Sequence, residues 1–267
     1  MEKEQEFLAI KKEFENLQQM YKEDVGQQSF NCLVLGEMGV GKTHLLQTCR
    51  RPIHIDSFDP GGTKHLMVGI REGWIMVDTR FEKEDPMKPT SASLWVKEME
   101  RRVNMGYFNH IGTYALDSMT MWSEALMNET LRKAGIAVQA PRFTHDYMPT
   151  KTLVKNYILQ IMKLPCDFVL TGHIRADKDE LAGNIRMRLV TIGDLDTKIP
   201  ALFDEVWIAT VKDGSKGPDY SLLTSPKGIY RDVRTRMGSM KFDQYEKPDV
   251  KYLLQKAGRD AKDKDKG

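Results

Sequence analysis

The sequence predicts an α/β protein built on a mostly parallel sheet with helices on both faces. Three observations predict it. Short apolar runs of strand length alternate with longer stretches of helical periodicity, the pattern that sets consecutive strands parallel and side by side. The first of those strands ends in a glycine-rich turn that opens directly into a helix. The chain of 267 residues, 40% hydrophobic and 29% charged, has the composition of one sizeable packed core.

The elements follow in order. Residues 2–24 read as a helix, with Phe7, Ile10, Phe14, Leu17 and Tyr21 recurring at alternating steps of three and four. Such a seam either packs the helix on its own domain or forms an arm that docks on a neighbouring subunit. From Ser29 the period changes: 30–35 is a strand, the turn follows, and a helix begins over 43–49. Residues 52–56 and 74–78 are strands, 91–105 a helix, 113–117 a strand and 119–133 a helix. A loop over 135–149 leads to a helix over 150–163 and a strand over 167–173. A long polar segment spans 174–196, then a short helix or turn at 200–203 and a strand over 205–211. Residues 220–224 and 228–233 suggest a last hairpin. The expected organisation is an N-terminal helix (1–28), a core (29–240), and a C-terminal helix or turn with a disordered Lys/Asp tail from Gly258 (241–267).

The net charge of +2 gives no global signal for nucleic acid or membrane, so any DNA-binding surface is local. The three cysteines, Cys32, Cys49 and Cys166, sit in or beside apolar segments. Their odd number and wide spacing argue against a disulfide framework or a zinc site and fit a reducing, cytoplasmic setting, in a host cell if the chain is phage-encoded. The charged start is unlike a signal peptide, and no apolar run approaches membrane-spanning length.

Gly36-Glu37-Met38-Gly39-Val40-Gly41-Lys42-Thr43 matches G-x-x-x-x-G-K-[ST] in full, between a strand and a helix as that motif requires. Glycines let successive backbone N–H groups curl inward around phosphate oxygens, and the following helix adds the positive end of its dipole. Lys42 reaches the β- and γ-phosphates of ATP, the Thr43 hydroxyl is a ligand for Mg²⁺, and His44 extends the cradle. A carboxylate at a neighbouring strand end must complete the Mg²⁺ shell. Asp117, after the strand Tyr114-Ala115-Leu116 and before Ser118, is the candidate, with Asp78 as its rival.

From these residues onward the chain resembles the RecA-like P-loop ATPases, and most closely compact phage AAA-type nucleotide-binding proteins that include core-only single-strand annealing recombinases. The resemblance covers about residues 29–240 and is specific at a few motifs. Leu116-Asp117-Ser118 is similar to the end of the family's Walker B strand. Residues 55–62 resemble the segment where the family carries the acid that activates the attacking water, which implies that role for Asp59, with Glu82 and Glu124 as substitutes. An alternative is that Asp59-Pro60-Gly61-Gly62 is a turn and nothing more. Leu170-Thr171-Gly172-His173 resembles the strand end where a Gln or His senses the γ-phosphate, so His173 either senses or is a structural histidine.

In that family the loops flanking this strand hold single-stranded DNA. The first offers Arg132, Lys133, Arg142, Phe143 and Tyr147; the second offers Arg175, Lys178, Arg186 and Arg188. Cations along a groove with rings for stacking suit sequence-tolerant binding, although the acidic residues of the second loop also suit a plain solvated loop. Arg234 and Arg236 resemble two cations, one residue apart, that reach a neighbour's nucleotide; the alternative is a basic edge strand. The resemblance thus implies an oligomeric ATPase, ring or filament, stimulated by single-stranded DNA in phage recombination or annealing, with single-strand-binding or replication proteins as possible partners. A nucleotide or small-molecule kinase, or a nucleotide-dependent protein-interaction switch, are the other readings of the same loop.

Overall fold

The computed structural model describes residues 2–23, 29–178, 183–215, 217–238 and 240–264. In chain order the elements are α1 (Glu2–Glu23), β1 (Asn31–Gly36), α2 (Lys42–Leu46), β2 (Ile53–Ser57), α3 (Met67–Arg71), β3 (Ile75–Asp78), α4 (Ser91–Asn104), β4 (Thr113–Asp117) and α5 (Met119–Lys133). A π-turn (Phe143–Tyr147) leads into α6 (Met148–Ile161), followed by β5 (Asp167–Lys178), β6 (Ile185–Leu189), α7 (Leu195–Lys198), β7 (Glu205–Gly214), β8 (Gly217–Leu223), β9 (Arg234–Thr235), β10 (Tyr245–Glu246) and α8 (Val250–Lys256).

The ten strands form one sheet whose main path runs β10-β8-β7-β1-β5-β4-β2-β3, with β6 added to β5 and β9 to β7. Six neighbours, from β7 across to β3, are parallel; β8, β10, β6 and β9 join antiparallel. Successive side chains of a strand point to opposite faces, so a central strand must be apolar on both. Strand β1 shows this: Leu33 and Leu35 pack with Trp95 of α4, Trp122 of α5 and Ile158 of α6. Cys32 and Val34 pack on the other face with Leu45 and Leu46 of α2 and Leu253 of α8.

The register decides what meets at the carboxyl edge. Gly36, the last residue of β1, lies opposite His173 of β5. Leu116 of β4 lies opposite Leu170, which sets Asp117 beside Thr171, and Ser57 of β2 lies opposite Asp117, so the chain leaving β2 starts at the same edge.

Four parts of the fold differ from the sequence expectation. The segment 174–196 is no open loop: its first part continues β5 and pairs with β6 as an antiparallel arm, Ile174 opposite Leu189 and Lys178 opposite Ile185. The late hairpin is made by β7 and β8, not by 220–224 with 228–233. The chain after β8 instead returns to β7 as β9, because the buried Glu205 carboxylate accepts from the backbone N–H groups of Arg236 (2.9 Å) and Met237 (2.7 Å). Residues 259–264 are pinned rather than loose: Arg51 N–H donates to Asp263 at 2.7 Å, and Lys264 Nζ donates to the Pro165 carbonyl at 2.6 Å. Finally, α1 leaves its seam in solvent, with Phe7 69% and Phe14 61% exposed, so it does not pack on its own domain.

On the α4 face a charged network is sealed inside the core. The fully buried Asp56 accepts from Arg102 (2.8 Å), Trp95 Nε1 (3.0 Å) and Tyr114 Oη (2.7 Å), and Arg102 also bridges to Asp78. Burial alone would raise the Asp78 carboxyl, but hydrogen bonds from Arg80 and Arg102 hold it at about 2. This network also removes Asp78 from the nucleotide edge and disposes of it as the rival to Asp117. Arg102→Ala leaves Asp56 desolvated and without its countercharge, so stability in urea denaturation should fall by about 3–5 kcal/mol; a loss below about 1 kcal/mol would show that the network carries no such dependence.

Candidate nucleotide-binding site

The turn after β1 has the backbone the motif requires. Gly39 and Gly41 adopt φ of +78° and +89°, a region that L side chains enter only with strain. At Gly36 the constraint is contact: a Cβ there would lie 2.8 Å from the Ala209 carbonyl and 2.7 Å from Val40. Val40 is buried against α2 while Glu37, Met38 and Gly39 are exposed, so the loop is anchored on one side and open on the other. His44, on the exposed side of α2, stacks against His65 with ring centroids 5.7 Å apart.

Lys42 emerges at the base of this turn. Its ammonium donates to the carbonyls of Gly36 (3.1 Å) and Glu37 (2.7 Å) and lies 3.4 Å from His173 Nδ1. Burial lowers its pKa, while the charges of Asp117 and Asp59 oppose that fall. The Thr43 hydroxyl donates to Asp117 Oδ2 at 2.7 Å, and the Thr171 hydroxyl donates to the other oxygen. Asp117 is fully buried; that burial raises its pKa, and the two hydroxyls and Lys42 pull it back.

Beside this pair stands Asp59. It accepts from the Ser118 hydroxyl at 2.8 Å and lies 3.3 Å from His173 Nε2. His173 therefore touches Lys42 with one ring nitrogen and Asp59 with the other. Of the substitutes for Asp59, Glu82 lies under the turn, accepting from Gly61 N–H at 3.0 Å, and Glu124 is exposed on α5. A hydroxyl and a buried carboxylate are hard oxygen donors, and Mg²⁺ characteristically takes one or two such protein ligands, completing its shell with phosphate and water. The absence, among the described residues, of any cluster of three acidic or metal-ligating side chains agrees with that pattern. Thr43 and Asp117 fit the ion.

The remaining candidates are placed less favourably. Arg132 and Lys133 are both engaged by Glu129, at 2.7 Å and 3.4 Å, and Arg142 holds Asp146 at 2.9 Å as part of the π-turn. Phe143 is exposed and Tyr147 half-buried. On the arm, Arg188 is paired with Asp177 at 2.8 Å, whereas Arg175, Lys178 and Arg186 are exposed without an ion pair among the described residues. Arg234 is committed locally: its guanidinium donates to the carbonyls of Pro200 (2.9 Å), Ala201 (2.8 Å) and Phe203, so it is not free to reach a neighbour. Arg236 makes a single solvent-exposed pair with Asp204 at 2.9 Å. Sequence reasoning passed over Thr171 and Ser118, whose signal is a hydroxyl at a strand end otherwise apolar.

A strand–turn–helix phosphate cradle, a buried carboxylate one strand removed and a mostly parallel sheet define a P-loop ATPase domain of RecA-like fold. Residues 29–231 match the model of the AAA domain family AAA_24, and the chain belongs to that family. No curated protein matches it significantly. Among solved structures, it is similar to the flagellar accessory protein FlaH from Methanocaldococcus jannaschii (12% identity, 85% of this chain and 88% of that one, TM-score 0.45). It is also similar to a KaiC-like protein from Pyrococcus horikoshii (12% identity, 73% and 78%, TM-score 0.39). A type III secretion system ATPase from pathogenic bacteria is a third (10% identity, 68% and 52%, TM-score 0.42). Likenesses this distant bear on neither substrate nor partner.

Lys42→Ala removes the one ammonium that the turn aims at bound phosphate, and should weaken ATP binding by about 100-fold or more, equivalent to about 2.7 kcal/mol. Isothermal titration checks this; an affinity within threefold of wild type would remove Lys42 from the site.

Proposed function

We propose that this AAA domain binds and hydrolyses ATP with Mg²⁺ and couples nucleotide occupancy to single-stranded DNA held on the β5–β6 arm of a homo-oligomer. One observation carries the reading: His173, which touches both Lys42 and Asp59, is the last residue of β5 before the arm begins. The Val190 N–H, just after β6, donates to the His173 carbonyl at 2.8 Å, so both strands of the arm are tied to that residue. A displacement of the imidazole by a γ-phosphate would be transmitted along two hydrogen-bonded strands to Arg175, Lys178 and Arg186.

In this account the amides of the turn and Lys42 hold the β- and γ-phosphates. Thr43 and Asp117 would hold Mg²⁺, which when bound neutralises charge on the phosphates. Asp59, oriented by Ser118, accepts the proton of the attacking water. His173 keeps Asp59 and the phosphate end in register.

The site is completed by a neighbour. Strand β9 pairs with the first residues of β7, at the amino end of the sheet, whereas the turn lies at the carboxyl end. Arg236 therefore cannot serve its own nucleotide but is placed to reach that of an adjacent subunit, where such a cation offsets charge on the transferred phosphoryl group. We assign the role to Arg236 and not to Arg234. The exposed seam of α1 supplies a second contact between subunits. Phage recombination or annealing is the setting proposed for this activity, on the resemblance of the motifs.

The test is the steady-state ATPase rate with and without oligonucleotide. Single-stranded DNA should raise the rate severalfold, and Arg175→Ala combined with Arg186→Ala should abolish the increase. A rate indifferent to single-stranded DNA, with phosphate passed to a nucleoside monophosphate, would replace this reading by a kinase.

A further inference from the structure

The cavity at the phosphate turn is larger than the phosphates need. It measures about 840 Å³ and extends from Asp59 and His173, past the turn, to Thr48, Tyr220, Lys247, Pro248 and Asp249. A volume of that order takes a whole small-molecule ligand, so the outer half must be accounted for separately.

That outer half is built by two pieces of chain. The first is the β7–β8 hairpin. Strand β1 stops at Gly36, but β7 continues to Gly214, and the hairpin stands beyond the turn. Side chains alternate along β8, so Tyr220 lies on the same face as Leu222, which packs against the α2 and α8 cluster. This directs the ring over the turn, where its edge lies 3.5 Å from the position a Cβ on Gly41 would occupy. The ring is 43% exposed, an aromatic face left open toward the cavity.

The second piece is the bend at 247–249. It is fixed to the back of the phosphate helix by two hydrogen bonds, Val250 N–H to Thr48 Oγ1 (2.9 Å) and Lys251 N–H to the Thr48 carbonyl (3.2 Å). Asp249 caps α8 through Oδ1, accepting from Tyr252 N–H at 3.1 Å, which leaves Oδ2, 3.4 Å from Lys247 Nζ, able to accept from a ligand. Pro248 lies between them. The bend lies outside residues 29–231, so it is an addition of this chain to the matched domain.

From this geometry we infer a nucleobase seat, in which the Tyr220 ring stacks on the base and the Lys247–Asp249 bend walls its edge, all supplied by the subunit that holds the phosphates. The inference rests on nucleotide binding at the turn. Stacking on an aromatic ring tolerates any base, so the seat favours base-bearing triphosphates over inorganic triphosphate rather than one base over another. The Lys247 ammonium and Asp249 carboxylate offer a donor and an acceptor to base or ribose.

Binding of ATP and of inorganic tripolyphosphate, each with Mg²⁺, tests it on the full chain. Wild type should bind ATP the more tightly. Tyr220→Ala should weaken ATP about tenfold and leave tripolyphosphate unchanged, Tyr220→Leu should behave likewise although it keeps apolar bulk, and Tyr220→Phe should retain wild-type affinity. An unaltered ratio of the two affinities in the Ala and Leu variants would overturn the seat while leaving phosphate binding intact. Failure of wild type to bind either ligand would overturn the nucleotide reading beneath it, and the seat with it.

Discussion

The concentration of positive potential in the turn between β1 and α2 is the constraint to which the rest of the site answers. Backbone amides, a helix amino terminus and the Lys42 ammonium converge there. Such a site must hold its cation in place without neutralising it. The protein does so by burying Lys42 against two carbonyls and setting two carboxylates, Asp117 and Asp59, near enough to favour its charged form. Each carboxylate is in turn held by hydroxyls: Asp117 by Thr43 and Thr171, Asp59 by Ser118. Loss of any one hydroxyl leaves its carboxylate with one partner fewer in a low-dielectric setting.

The sheet makes this arrangement possible. A parallel register brings the ends of β1, β2, β4 and β5 to one edge, so residues as distant in the chain as Gly36, Asp59, Asp117 and His173 meet without any of their strands bending. The same edge launches the two extensions that distinguish the molecule, the β5–β6 arm and the β7–β8 hairpin. One leads away from the phosphate end at His173, and the other covers the turn with Tyr220.

How much of this was legible in the sequence depends on the range of the forces involved. The strand–turn–helix at 31–46 follows from local glycine geometry and short-range periodicity, and the structure has it where the sequence put it. The arm was read as loop because both of its faces meet solvent, so charged residues occupy positions where a half-buried strand would show an apolar alternation. Strand β9 was misplaced because it is captured by Glu205, some thirty residues earlier in the chain, a contact no local window contains. The spacing of Arg234 and Arg236 suggested two free cations, yet three carbonyls at 200–203 had already claimed the first. The Lys/Asp tail has the composition of a disordered segment, and Asp263 and Lys264 are ordered by partners at Arg51 and Pro165.

Amide hydrogen exchange on the full chain, with and without ATP and Mg²⁺, measures most directly whether phosphate is gripped where the turn places it. Protection gained at residues 38–43 and at the His173 end of β5 is the expected result. Exchange there unchanged by a saturating nucleotide, with protection appearing elsewhere, would contradict it.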